Sequence, residues 1–193
     1  MTKSKSKLVN FLLIFRPYIV KIWCLFPTPV SKFHFGLFKN SNFKVGFIIR
    51  YLCLYKLSKS CGEKVIVFPN VSLFNIENLE IGTNVSIHEN SYIDCYGGLK
   101  IGDSVAISHN CSILTFDHNI NQFASVIKDS GTFSKPVCIG SDVWLGAGSR
   151  ILKGVNISDG SVIAAGAVLT SSTNENGIYA GVPARLIRYR KSN

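Results

Sequence analysis

An all-β solenoid, wound as a parallel β-helix behind a basic helical segment, is the fold that this 193-residue sequence predicts. Three observations predict it. From Ile81 onward an aliphatic residue returns at every sixth position. One long segment, residues 114–138, loses that rhythm. Residues 1–64 never show it, yet they carry the chain's whole excess of positive charge.

Residues 1–64 hold 12 Lys/Arg and one acid, Glu63, whereas residues 65–193 hold nine Lys/Arg and ten acids. A basic excess confined to one third argues against a uniformly basic nucleic-acid-binding fold, and no nucleic-acid partner is expected. The start, MTKSKSKLVNFLLIF, imitates a signal peptide. Arg16-Pro17 cuts its apolar run short, and no small-residue cleavage site follows. The stretch Leu8–Val30 contains Arg16, Pro17, Lys21, Pro27 and Pro29, too many interruptions for a membrane span. Irregular alternation of aromatic, aliphatic and basic residues predicts one or two helices, best over Phe47–Leu57. Such a segment serves either as a cap on the open end of a solenoid or as an element lying on a membrane surface. Six Cys form no CxxC pair and no zinc-like spacing, so reduced thiols in a cytoplasmic protein are expected.

Residues 65–78 predict an irregular first coil. Hexads then start at Ile81, Ile87, Ile93, Ile101, Ile107 and Ile113, and again at Ile139, Leu145, Ile151, Ile157, Ile163 and Leu169. Four residues after each start the chain is small or β-branched in eleven of twelve cases; the exception is Asp117. A period of six fits neither a helix nor a plain strand. It fits a triangular coil of three short strands, with the aliphatic filling the interior and the small residue permitting each turn. The matching phrases NLEIG (78–82) and GLKIG (98–102) mark two-residue insertions where one coil steps to the next. Residues 114–138 must loop out, and a long loop on a regular scaffold is a place to look for function. The predicted organisation is therefore 1–64 and 65–190, with the excursion inside the second part.

The repeat [Ile/Leu]-Gly-x-x-[small]-x, with IGDSVAISHNCSILTFDH (101–118), VWLGAG (143–148) and AGVPARLIR (180–188), resembles the hexapeptide-repeat acyltransferases. Within that family the likeness is to the sugar O-acetyltransferase branch, including galactoside, maltose and O-antigen or capsule acetyltransferases. The resemblance covers residues 65–190. It implies a left-handed β-helix, acetyl-CoA as donor and no metal. It also implies a homotrimer with sites between subunits, and a sugar or lipid-linked glycan as acceptor. Periodicity alone does not give the handedness.

His118 is the expected catalytic base. Acetyl transfer from a thioester to a hydroxyl needs a group that takes the hydroxyl proton, and imidazole titrates in the useful range. It follows the one polar break in the small-residue row, and the resemblance assigns the base to this position. Asp117 either orients the ring or caps the turn. His88 and Asn90 are the expected acceptor contacts; the galactoside enzymes resembled have an asparagine near His88. For coenzyme A, the resemblance points to Trp144, Ala147, Ala165, Thr170, Arg185 and Arg188. The small residues let the pantetheine arm approach, and the arginines suit its phosphates. A backbone N–H near the Ala147–Gly148 turn is the expected oxyanion donor. Transfer to an amino sugar is the alternative acceptor chemistry. A zinc site like that of γ-class carbonic anhydrases would need three converging histidines, and His88, His109 and His118 lack that spacing.

Overall fold

The computed structural model describes residues 17–120 and 126–191. Residues 17–23, Thr28–Phe38 and Lys44–Leu57 are helical. From Ser60 the described chain runs in short strands and turns, with single 3-10 turns at Ile76–Asn78 and Ile127–Asp129.

Three strands make one rung. The first rung is Ser60–Cys61, Ile66–Val67 and Ser72–Phe74; the second is Leu79–Ile81, Ser86–Ile87 and Tyr92–Asp94. The third is Leu99–Ile101, Ala106–Ile107 and Ser112–Leu114. After the excursion come Val137–Ile139, Trp144–Leu145 and Arg150–Ile151, then Asn156–Ile157, Val162–Ile163 and Val168–Leu169. Parallel pairing between successive rungs builds three sheets, here called faces A, B and C in the order the chain visits them. Gly177–Gly181 adds a last parallel strand to face B, and Ala184–Tyr189 folds back antiparallel on it.

The periodicity is a record of what points inward. All twelve aliphatic hexad starts are at most 3% exposed. Full burial of each such side chain contributes about 1.5–3 kcal/mol. The small-residue row is buried too, except at Gly97 and Asp117. Leu79, Leu99 and Val137 form an extra inward column on face A, where the strands lengthen to three residues. Those are the insertions that NLEIG and GLKIG mark.

The first coil is not irregular. Ile66–Val67 pairs with Ser86–Ile87, and Ser72–Phe74 pairs with Tyr92–Asp94, in the register of every later rung. The hexads extend back through Cys61, Val67 and Leu73. Val67 fills the interior there as isoleucine does later, and Cys61 takes the equivalent position half-buried at the end of the coil. The turn from face B to face C is left-handed in every rung. Asn70, Asn90 and Asn110 hold it at φ +61°, +60° and +59°, and Gly148 and Gly166 at +70° and +69°. Asparagine and glycine are the residues that tolerate this region.

The helices cover the open end of the coil. Cys53, Leu54 and Leu57 join the same buried cluster as Val67 and Leu73. Arg50 fastens the arrangement. Its guanidinium is buried and donates to the carbonyls of Val67 (2.8 Å), Phe38 (2.7 Å) and Ser41 (2.9 Å), with the Phe47 ring 4.6 Å away. Three carbonyls from three segments thus meet on one side chain. Burial pulls its pKa below the usual arginine range.

The cysteines divide into two groups. Burial pushes the thiols of Cys53 and Cys95 up to about 12, and raises that of Cys111 as well. Cys24, Cys61 and Cys138 are half-buried. A thiol with a pKa of about 12 is only about one part in 10⁴ thiolate at pH 8, and thiolate is the reactive form. A colorimetric thiol reagent on the native protein is therefore expected to label no more than three sites quickly. The other three should react only after unfolding; fast labelling of all six would contradict the burial.

Candidate active site

The break in the repeat becomes a hairpin. Thr115 is buried at the exit of the third rung. Its Oγ1 donates to the Asp94 carbonyl (3.0 Å) and accepts the Gly97 N–H (2.8 Å), which fixes the corner. Phe116–His118 then pairs antiparallel with Thr132–Ser134, placing Asp117 opposite Phe133 and His118 opposite Thr132. The Lys135 N–H donates to the Thr115 carbonyl (2.9 Å), and face A resumes at Val137. The Tyr96 and Phe116 rings meet edge to face at 5.5 Å beside the hairpin base. His118 thus stands on a strand, exposed, at the corner between faces C and A.

Asp117 is engaged elsewhere than at the imidazole. Its Oδ1 accepts the His118 backbone N–H (2.9 Å), and its Oδ2 pairs with Lys153 Nζ (3.0 Å). No hydrogen bond joins it to the ring among the described residues. Of the two roles open to Asp117, this geometry fits the turn and not the ring. Lys153 lies past the face C strand of the fourth rung, so the ion pair ties the hairpin base to the coil below. The sequence offered no signal for Lys153, because its partner is 36 residues away.

The hydrogen bond from Lys153 holds the Asp117 carboxyl below its usual range; the His118 N–H acts in the same direction, and partial desolvation opposes both. A depressed carboxylate contributes stability above its unfolded pKa, and that contribution is lost as pH falls through the lower folded value. Asp117 is exposed and Lys153 half-buried, so solvent screens the pair and the stability involved is small. Carboxyl NMR titration is expected to place Asp117 below the ordinary value of about 3.9. In Lys153→Met the midpoint should move up toward that value; an unchanged midpoint would mean that the lysine does not hold the carboxylate.

The other candidates line different parts of the coil. His88 follows the face B strand of the second rung and stacks on Phe68, with centroids 4.3 Å apart and planes 11° apart. Its Nδ1 lies 3.7 Å from Glu89 Oε2. Asn90 is the left-handed turn residue of that rung, in a column with Asn70 and Asn110. Ala147 and Ala165 occupy the same B-to-C corner in the fourth and fifth rungs, half-buried and exposed respectively. Trp144 is 53% exposed on face B, and its Nε1–H donates to Ser108 Oγ (3.0 Å) in the rung above. Thr170 sits past the last face C strand, exposed.

Arg185 and Arg188 are exposed on the returning strand, and each donates only to a neighbouring carbonyl of that strand. Arg190 is different: its guanidinium reaches Asp142 Oδ2 (2.7 Å) and the Gly160 carbonyl (3.0 Å). Arg190 thus pins the tail to two turns of the coil.

Geometry narrows the choice of oxyanion donor. The Gly148 N–H donates to the His109 carbonyl (3.0 Å), and the Gly166 N–H donates to the Ala147 carbonyl (2.8 Å). These amides form the ladder between rungs, so the Gly148 N–H is not available to an oxyanion.

Most of the candidates fall on two corners, while Trp144 lies on face B and Arg185 and Arg188 on the returning strand. His118 and Thr170 stand where face C turns into face A. His88, Asn90, Ala147 and Ala165 stand where face B turns into face C. The whole width of face C separates the two groups, so one chain does not bring them together. His88 and His109 share the second corner and His118 the first, and no group of three metal-ligating side chains converges among the described residues.

Residues 136–171 match the family described as the hexapeptide repeat of succinyl-transferase. Galactoside O-acetyltransferase of Escherichia coli is 36% identical over 128 residues, 66% of this chain and 62% of that one. A galactoside acetyltransferase solved in complex with coenzyme A superposes with a TM-score of 0.75 at 31% identity, covering 82% of this chain and 78% of that one. A maltose O-acetyltransferase from Clostridium difficile 630 gives 0.74 at 28%, covering 85% and 86%. The chain spans 62% of the E. coli protein and 38% of a Mycobacterium tuberculosis relative that is 33% identical over 114 residues. A left-handed parallel β-helix of hexapeptide repeats, shared with these acetyltransferases, defines the class of scaffold. This chain belongs to the hexapeptide-repeat acyltransferase family.

Proposed function

We propose that the protein transfers an acetyl group from acetyl-CoA to a sugar hydroxyl, on a precursor of a bacterial surface polysaccharide. The observation that carries this reading is His118, an exposed imidazole held on a strand at the one point where the repeat opens. The similar proteins, sugar O-acetyltransferases and a galactoside acetyltransferase in complex with coenzyme A, support this chemistry.

In the proposed reaction the acceptor oxygen attacks the thioester carbonyl carbon while His118 takes the hydroxyl proton. The tetrahedral intermediate collapses with loss of the C–S bond. The departing coenzyme A thiolate then recovers the proton from the imidazolium. No covalent enzyme intermediate is needed. Lys153, through Asp117, keeps the histidine strand against the coil. Arg185 and Arg188 are free of ion pairs to acidic residues among the described groups and suit the phosphates of the donor. Trp144, Ala147, Ala165 and Thr170 are the proposed walls for its arm, and His88 and Asn90 the proposed acceptor contacts.

The separation of these residues onto two corners favours a site shared between copies. One copy would offer the C-to-A corner with His118, and its neighbour the B-to-C corner with the small residues. A homotrimer gives three such sites. The same reading takes in a cytoplasmic location at the inner face of the membrane, with contact through residues 1–64. The test is acceptor-dependent thiol release from acetyl-CoA. It is run on free sugars, nucleotide sugars, amino sugars and lipid-linked oligosaccharides. Release with hydroxyl acceptors supports the proposal. Release with amino sugars alone, or none with any acceptor, overturns it.

A further inference from the structure

The helices that cap the coil carry their own contradiction. Their inner positions, such as Val20, Ser31 and Phe35, are buried, as a cap requires. Their solvent-facing positions are apolar as well. Tyr18 and Ile22 are 69% and 62% exposed, one helical turn apart; Phe33 and Leu37 are 67% and 64% exposed at the same spacing. Phe43, between the last two helices, is 81% exposed. A helix face turned to water is ordinarily polar, and clustered exposed apolar side chains mark a surface that meets something.

Charge says what it meets. A lysine stands beside each apolar pair: Lys21 precedes Ile22, Lys32 precedes Phe33, and Lys44 follows Phe43. All three are exposed. Residues 1–62 contain no Asp or Glu at all. A surface of aromatic and aliphatic side chains interleaved with lysines, and with no acid to balance them, complements an apolar interface topped by anions. A second copy would bring the same cations against these and be repelled. None of the described helices is long and apolar enough to cross a bilayer.

We propose that this solvent-facing side of the cap docks flat on a bilayer that carries anionic headgroups. Phe33, Leu37, Tyr18 and Ile22 enter the headgroup boundary, and Lys21, Lys32 and Lys44 meet the phosphates. The inner side of Thr28–Phe38 packs on Lys44–Leu57, which in turn rests on the first rung, so capping and docking use opposite faces. The proposal rests on the reading above only for its use, which is to bring the enzyme to a lipid-linked acceptor.

The experiment is cosedimentation of the full chain with vesicles of phosphatidylcholine alone, or of phosphatidylcholine mixed with phosphatidylglycerol. The protein is expected to pellet with the mixed vesicles, and to be released as salt is raised. The paired change Lys21→Gln and Lys32→Gln should lower the partition coefficient about thirtyfold, from the usual gain per basic residue near such a surface. The pair Phe33→Gln and Leu37→Gln should abolish pelleting without shifting the melting temperature, since neither side chain is buried. Both variants should keep wild-type thiol release with a water-soluble acceptor, so a failed acetyl-transfer reading and a failed docking surface give separate results. Three outcomes overturn the proposal: no pelleting with either vesicle, equal pelleting with both, or paired variants that bind like wild type. A fall in solution mass of Phe33→Gln and Leu37→Gln without vesicles would also overturn it, by making this face a contact between copies.

Discussion

His118→Ala is expected to lower the acetyl-transfer rate at saturating acetyl-CoA and acceptor by about 10²–10⁴-fold, the usual contribution of a positioned general base. Coenzyme A affinity should stay within about twofold of wild type, because His118 is not among the proposed donor contacts. The fold should be untouched. The imidazole is exposed, and the hairpin is held by backbone pairing from Phe116 to His118 and by the Lys153 tie at Asp117. Asp117→Asn serves as the contrast. Asp117 contacts the His118 amide and Lys153, so its loss should loosen the strand that carries the base. The expected result is a smaller fall. If Asp117→Asn instead matched His118→Ala in size, the carboxylate would be acting on the ring, against the geometry seen here. If His118→Ala kept its rate, the base would lie elsewhere.

What the sequence made legible follows from what repeats. An inward position that recurs every six residues leaves a signature strong enough to count, and all twelve counted positions are interior. The signature weakened where chemistry, not shape, changed. Cys61 and Val67 take the positions of isoleucine in the first rung, but a search for Ile or Leu passes over them. The departure point of the excursion was legible because Asp117 stands where a small buried residue should. The partners of the site were not. Lys153, Arg190 and Arg50 all act on groups between 9 and 48 residues away along the chain. Their neighbours are set by how rungs and helices stack, not by local pattern. The Gly148 amide illustrates the same limit. Its sequence marks a tight turn, but only the stacking shows that the ladder already uses its hydrogen.

That stacking also governs a large expected change in stability, at Gly102. Gly62, Gly82, Gly102 and Gly140 each follow a face A strand, and strands in neighbouring rungs lie about 4.8 Å apart. A Cβ on Gly102 would stand 2.8 Å from both the carbonyl carbon and the oxygen of Gly140, closer than real Cβ atoms come. Those atoms are backbone, and they sit in a hydrogen-bonded ladder. Gly102 N–H donates to Ile139 O (2.8 Å), and Gly140 N–H donates to Ile157 O (2.7 Å). Relief therefore requires the third and fourth rungs to part, which stretches the ladder and opens the core beneath. Overpacking costs about 1–3 kcal/mol where side chains can yield, so Gly102→Ala belongs at the top of that range or above it. Two other glycines calibrate the claim. Gly166 has open space around it but φ of +69°, so Gly166→Ala should cost about 1 kcal/mol from backbone strain alone. Gly36 lies inside the helix Thr28–Phe38 with nothing near its missing Cβ, so Gly36→Ala should stabilise by about 0.5–1 kcal/mol. At about 2–4 °C per kcal/mol for a chain of this size, calorimetry should rank the melting temperatures Gly36→Ala, wild type, Gly166→Ala, Gly102→Ala from highest to lowest. A Gly102→Ala protein that melted with wild type would show that the rungs part at little cost, and that the glycine column is not what lets them stack.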